Sequence, residues 1–328
     1  MSFKYKIYGL QISSSRRISI LPEADNLDTD LFVNWGTDAG NTPDEQLNWE
    51  QILTPDLKRR KGIKFYWAHT PEGVYTKLVY KTETGYMFFL LAPDKKQLWI
   101  VHNADEPANN LDSFFVGPVL GCMLRLRGAL CLHASVVNID GKAVGFIGEK
   151  RFGKSTTAAA FARLGYNVLS DDMAVVTVRD GIFYLESGYP KIRLRPASVA
   201  AFYPDSPIEL PMVYSDRDSR YSNIEADFCA AATPLGAFYL LSKGDGHLEK
   251  PIVEPLSLQD ILVALGKNTF GNYVITPDLR RQEFELLSKL ALNVPVNRLK
   301  VVYDIKKVNL QCQAAIDNFR LLTPAAAI

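Results

Sequence analysis

The stretch Gly148–Ser155 reads GEKRFGKS and satisfies G-x-x-x-x-G-K-[ST]. Nothing else in the chain constrains its fold so tightly. A loop of this kind holds phosphate oxygens on backbone N–H groups, and it does so where it joins a strand to a helix N-terminus. The flanks supply that setting. Apolar KAVGFIG leads in and alanine-rich KSTTAAAFARLG leads out, with Gly165 ending the helix. In this pattern Lys154 reaches the β and γ phosphates and the Ser155 hydroxyl ligates Mg²⁺. Gly148, Lys150, Arg151, Phe152, Gly153 and Thr156 complete the candidate cradle, and ATP with Mg²⁺ is the implied cofactor.

Two residues are unusual. Lys150 and Arg151 are long cations where such loops keep small residues. If the backbone at Arg151 needs φ > 0, arginine costs about 1 kcal/mol. Turned inward, the side chains would crowd the phosphates. Turned outward, they would favour a polyphosphate or grip an acidic substrate.

Asp171 and Asp172 follow at the end of the next expected strand, between YNVL and MAVV. Adjacent carboxylates at a sheet rim can divide two tasks. One, Asp171, enters the Mg²⁺ shell, and the other, Asp172, accepts the hydroxyl proton of a phosphoryl acceptor. The plainer alternative is a solvated acidic turn. His133, in CLHASVV, reads on its own as a satisfied core histidine.

The 328 residues suffice for about two domains. The formal net charge of +1 argues against bulk nucleic-acid binding, which needs a basic footprint, and gives no reason to expect membrane-surface attachment. MSFKYKIYGLQISSS lacks the apolar core of a signal peptide, and GYMFFLLAP is too short to span a bilayer. The four cysteines show no CxxC spacing, so a reduced, cytoplasmic setting is expected.

The reading of fold class is α/β. Residues 1–110 form a β-rich domain in which YKIYGLQISS, RISILP, VYTKLVYKT, GYMFFLLA and QLWIVHN are strands. Residues 111–328 form the phosphate-loop domain. It opens with a helix over 111–127 that Pro118 kinks or delays. Its C-terminal part is mostly helical, with starts at Ser257 (Asp260 three residues on) and at Thr276-Pro277.

His133 through Asp172 resembles bacterial HPr serine kinase and the wider group that shares a fold with phosphoenolpyruvate carboxykinase. His133 stands 22 positions before Ser155 and Asp172 stands 17 after it, and Arg163 and Gly165 precede the aspartate pair in the family's R-x-G…D-D setting. The rest of the chain is similar to a narrower branch associated with ribosomally made peptides such as lasso peptides. The segments that carry this are YKIYGLQISS, GPVLG, GYPKIRLRP, the strand at Pro234–Leu241 and VPVNRL. The resemblance implies an HPr kinase-like fold and a serine kinase acting on a peptide or protein, with a ribosomal precursor peptide as acceptor. It makes Asp172 the general base, His133 an active-site histidine and Lys154 the phosphate-binding lysine. Glu186 lies where the family keeps a second metal carboxylate, and Arg193, Arg195 and Arg220 are candidate cations for transition-state charge. Related enzymes form oligomers, so a homo-oligomer is allowed. Two departures stand out. The family's middle loop glycine is Arg151 here, and its glycine-rich segment after the aspartates is replaced by GYPKIRLRP, which points away from HPr itself as substrate. A nucleotide-binding interaction protein without transfer, or a small-molecule kinase, is the alternative.

Overall fold

The computed structural model describes residues 2–25, 28–54, 57–58, 62–205, 210–215, 217–244 and 248–322. The chain is mixed α/β and divides into two compact units. The first is Met1–Arg127 with Gly271–Thr276, and the second is Gly128–Phe270 with Pro277–Ile328.

The first unit is built on one eight-stranded sheet. Its strands are β1 Phe3–Ile7, β2 Leu10–Ser14, β3 Leu31–Gly36, β4 Glu50–Ile52, β5 Ile63–Thr70, β6 Gly73–Lys81, β7 Tyr86–Leu91 and β8 Gln97–Val101, in the order β1-β2-β3-β8-β7-β6-β5-β4. YKIYGLQISS is a hairpin, since Tyr8 and Gly9 both take positive φ (53° and 77°) between β1 and β2. RISILP is not a strand. Its backbone donors are taken by side chains instead of a ladder: Ile18 N–H donates to the Tyr5 hydroxyl at 2.8 Å and Ser19 N–H to Asp112 Oδ2 at 2.9 Å.

The expected helix over 111–127 is longer and is interrupted. It comprises α1 Ala108–Phe114, a π turn Phe115–Val119 and α2 Leu120–Leu126. Pro118 sits in the wide turn, which accommodates a ring that cannot donate to the ladder. The boundary expected at 110/111 would place this helix in the second domain. It packs with the first unit, with Phe114 on Tyr80 (ring centroids 5.4 Å) and Phe115 on Trp35 (5.6 Å).

The second unit has strands β9 Leu130–Leu132, β10 Ala134–Ile139, β11 Lys142–Ile147, β12 Val168–Ser170, β13 Ala174–Arg179, β14 Ile182–Glu186, β15 Lys191–Leu194, β16 Arg220–Asn223, β17 Thr233–Lys243, β18 Ile252–Pro255 and β19 Val296–Val301. The main sheet runs β12-β10-β11-β17-β14-β13-β9, with β19 also on β17 and β18 on β19, while β15 and β16 form a separate ribbon. Its helices are α3 Lys154–Arg163, α4 Pro196–Phe202, α5 Leu258–Lys267, α6 Pro277–Asn293 and α7 Val308–Leu322.

Strand alternation loads both faces of the sheet. Val137, Ile139, Val144 and Phe146 pack with α3 and α7, whereas Ala134, Val136, Ala143 and Ile147 pack with α5 and α6. Gly145 is obligatory in this stack, since a Cβ there would lie 2.2 Å from the Phe238 ring. β11, β17 and β19 are mutually parallel, so their carboxyl ends share one edge. That edge carries the phosphate loop.

Candidate functional site

The loop begins where β11 ends. Gly148 has φ 146° and its Cβ would meet the Leu241 carbonyl at 2.8 Å, so a side chain is excluded there. Its N–H donates to Asn268 Oδ1 at 3.0 Å. Glu149, Lys150 and Arg151 are exposed, Phe152 packs against the core, and Gly153 (φ 90°) turns the chain into α3. Arg151 does adopt the left-handed backbone, at φ 78°. Both long cations are exposed. Arg151→Gly is expected to relieve about 1 kcal/mol of backbone strain and to leave ATP affinity within about threefold. A calorimetric titration checks this, and an increase of a hundredfold or more would mean the arginine obstructs the loop.

Lys154 is 7% exposed, and its ammonium donates to the carbonyls of Gly148 (2.8 Å) and Glu149 (3.2 Å). Burial lowers its pKa, and the charges of Asp172 and Asp171 offset part of that fall. The Ser155 hydroxyl lies near enough to Asp171 to favour its ionised form. Thr156 is tied by its hydroxyl to Ser198 of α4 at 2.8 Å.

The two aspartates are adjacent in sequence and opposite in environment. Asp171 is 2% exposed. It accepts from the Ser135 hydroxyl at 2.6 Å and from the Arg193 N–H at 2.9 Å. Burial raises its pKa, and the charge of Asp172 adds to the rise. Asp172 takes a left-handed backbone, φ 73°, which turns its side chain to other partners. Oδ2 meets Arg193 Nη1 at 3.0 Å and Oδ1 meets His133 Nδ1 at 3.2 Å. Burial opposes ionisation of Asp172, but Arg193, His133 and Lys154 outweigh it and hold the carboxyl well below the usual carboxylate range. Carboxylates driven apart in this way are the mark of groups with different tasks.

His133 lies between β9 and β10, at the residue where the chain changes partners from β13 to β11 and β12. Its N–H donates to the Asn268 carbonyl at 2.7 Å. Nδ1 also lies 2.8 Å from the Asp172 carbonyl, which can only accept, so Nδ1 carries a proton and Nε2 is the titrating nitrogen. Burial disfavours the charged ring, yet the hydrogen bond and charge of Asp172 prevail and raise the pKa above 6.5. A raised histidine pKa adds stability that is complete below the unfolded value and lost as pH rises through the folded one. Stability of the wild type is thus expected to fall across that interval relative to His133→Gln, as read by urea unfolding at a series of pH values. Parallel profiles would contradict it.

Of the three candidate arginines only Arg193 reaches this cluster. Its guanidinium sits among Tyr189 (Nε to hydroxyl 3.3 Å), Tyr214 (6.0 Å to the ring centroid) and Tyr221 (5.8 Å), which suits a desolvated cation. Arg195 is exposed at the start of α4, and Arg220 lies half-buried on β16. Glu186 is turned to Thr177 (2.7 Å) and to Arg179. Among the described residues no three His, Cys, Asp or Glu side chains gather as metal ligands. The Ser155 hydroxyl and the Asp171 carboxylate are near one another, and oxygen ligands of this kind suit Mg²⁺, which keeps several waters and takes other ligands from phosphate.

Sequence reasoning missed Asn268 and the tyrosine cage. Asn268 caps α5 and binds both the loop and the histidine strand, 120 residues from Gly148. Its only local signal is a helix-terminal asparagine before Thr269.

No known family model matches the chain. Two HPr kinase/phosphorylases from strains of Clostridium kluyveri are each 25% identical over 148 residues, covering 43% of this chain and 45% of theirs. The chain thus spans under half the length of the curated relatives it matches. The Hpr(Ser) kinase/phosphatase from Coxiella burnetii aligns at 14% identity and a TM-score of 0.34, over 58% of this chain and 90% of that one, and so weak a structural likeness carries nothing further. Sequence similarity to the HPr kinase/phosphorylases is present and weak. Among the described residues no helix is long and apolar enough to cross a membrane.

Proposed function

We propose that this protein is an ATP-dependent kinase that transfers the γ-phosphoryl group to a serine hydroxyl of a peptide or protein in the cytoplasm. One observation carries the reading. Lys154, the Ser155–Asp171 pair and the His133–Asp172–Arg193 cluster are assembled at a single phosphate loop. Phosphoryl transfer needs positioning and charge stabilisation more than covalent chemistry, and these groups supply both. The loop N–H groups and Lys154 hold the phosphates. Ser155 and Asp171 would hold Mg²⁺, which would supply neutralisation of the phosphate charge. Asp172 accepts the proton of the attacking hydroxyl, with His133 and Arg193 fixing its orientation.

The acceptor is proposed from the resemblance of the outer segments to kinases of the lasso-peptide branch: a ribosomal precursor peptide. Mass spectrometry of candidate precursor peptides after incubation with ATP and Mg²⁺ tests this, and addition of one phosphate to a serine is the expected result. A second reading has its own support. Both oxygens of Asp172 are engaged and its basicity is depressed, which suits a nucleotide-binding protein that transfers nothing. Thermal stabilisation by ATP with no phosphate on any peptide would favour that second reading.

A further inference from the structure

The carboxyl ends of three parallel strands share the edge that holds the loop: β11 runs into Gly148, β17 ends at Lys243 and β19 at Val301. Ligands of open α/β sheets bind outside such ends. Tyr303 stands two residues beyond β19 and is 64% exposed, yet it is fixed at several points. Its hydroxyl donates to the Arg151 carbonyl of the loop at 3.2 Å. The Lys243 ammonium lies over its ring, 5.3 Å from the centroid. The next residue, Asp304, caps the following 3₁₀ turn by accepting from Lys306 N–H at 3.0 Å. A solvent-facing aromatic ring tethered to the phosphate loop offers what a planar heterocycle joined to a polyphosphate needs, a flat surface at a set distance from the phosphates.

We infer that Tyr303 is the stacking platform for the nucleobase of the nucleotide whose phosphates occupy the loop, with Lys243 fixing the ring from one face. This rests on the nucleotide reading above. The competing role is a plain one, in which Tyr303 only steadies the left-handed backbone at Arg151. The two roles separate on ligands with and without a base.

Wild type, Tyr303→Ala and Tyr303→Phe are titrated calorimetrically with ATP and with inorganic tripolyphosphate, each with Mg²⁺. Tyr303→Ala is expected to weaken ATP about tenfold and to leave tripolyphosphate unchanged. Tyr303→Phe keeps the ring and is expected to retain ATP affinity. The platform is overturned if Tyr303→Ala leaves ATP unchanged, or if it weakens both ligands equally, which assigns the residue to holding the loop. A wild type that binds tripolyphosphate as tightly as ATP overturns it too. A wild type that binds neither removes the nucleotide reading itself, and the platform with it.

Discussion

Asp172→Asn is expected to lower phosphoryl transfer about a thousandfold, within the range a positioned general base contributes, while ATP affinity changes little. Asparagine keeps the shape and can still face His133 and Arg193, but it cannot take the proton of an acceptor hydroxyl. The depressed pKa of the resting carboxylate sharpens the expectation. Arg193, His133 and Lys154 all favour ionised Asp172, so the group is available as an acceptor at every pH near neutrality. Transfer by Asp172→Asn at the wild-type rate would show that the proton goes elsewhere, and single-turnover kinetics is the measurement that decides it.

Arg193→Met is expected to cost about 3 kcal/mol of folding stability, the scale for breaking a buried ion pair by removing one partner. The guanidinium side chain is only 16% exposed, its tyrosine cage is shaped for a cation, and Asp172 would lose the largest of the charges that offset its burial. The sign with pH follows. A carboxylate depressed on folding adds stability above its unfolded pKa of about 3.9 that is lost as pH falls through the folded value. In Arg193→Met the folded pKa of Asp172 moves back up, so the stability gained from ionising it shrinks. Urea unfolding at neutral and acid pH should therefore show a large difference between variant and wild type near pH 7 that narrows under acid. An equal difference at both would place the effect in packing of the arginine stem rather than in its charge.

The legible parts of the sequence were those whose physics is local. A strand, a phosphate-loop pattern and a capped helix are contiguous, so the loop at Gly148–Ser155 and α3 follow from neighbours in the chain. The spacing of His133 and Asp172 about the loop pointed to one site, and the structure brings both to it. What was not legible depends on pairing across distance. The cage on Arg193 draws Tyr189, Tyr214 and Tyr221 from three segments, and the β15–β16 ribbon, which sets Arg193 opposite Tyr221, brings one of them into register. RISILP has strand composition, but Tyr5 and Asp112 capture its backbone donors. The helix from 108 to 126 joins the first unit through aromatic contacts that no local pattern encodes. The two cations of the loop are the middle case. Their identity raised the question, and the structure answers part of it: Arg151 bears the left-handed φ and both residues are exposed.

Lys150 and Arg151 leave this loop a working nucleotide site in the function proposed above. Calorimetric titration of the full chain with ATP, in the presence and absence of Mg²⁺, tests it most directly, with Lys154→Ala as the control. Saturable, Mg²⁺-dependent binding is expected, and Lys154→Ala is expected to weaken it by about tenfold or more, the scale of a lost charge-assisted contact. Absence of binding by the wild type, or binding that Lys154→Ala leaves untouched, would contradict it.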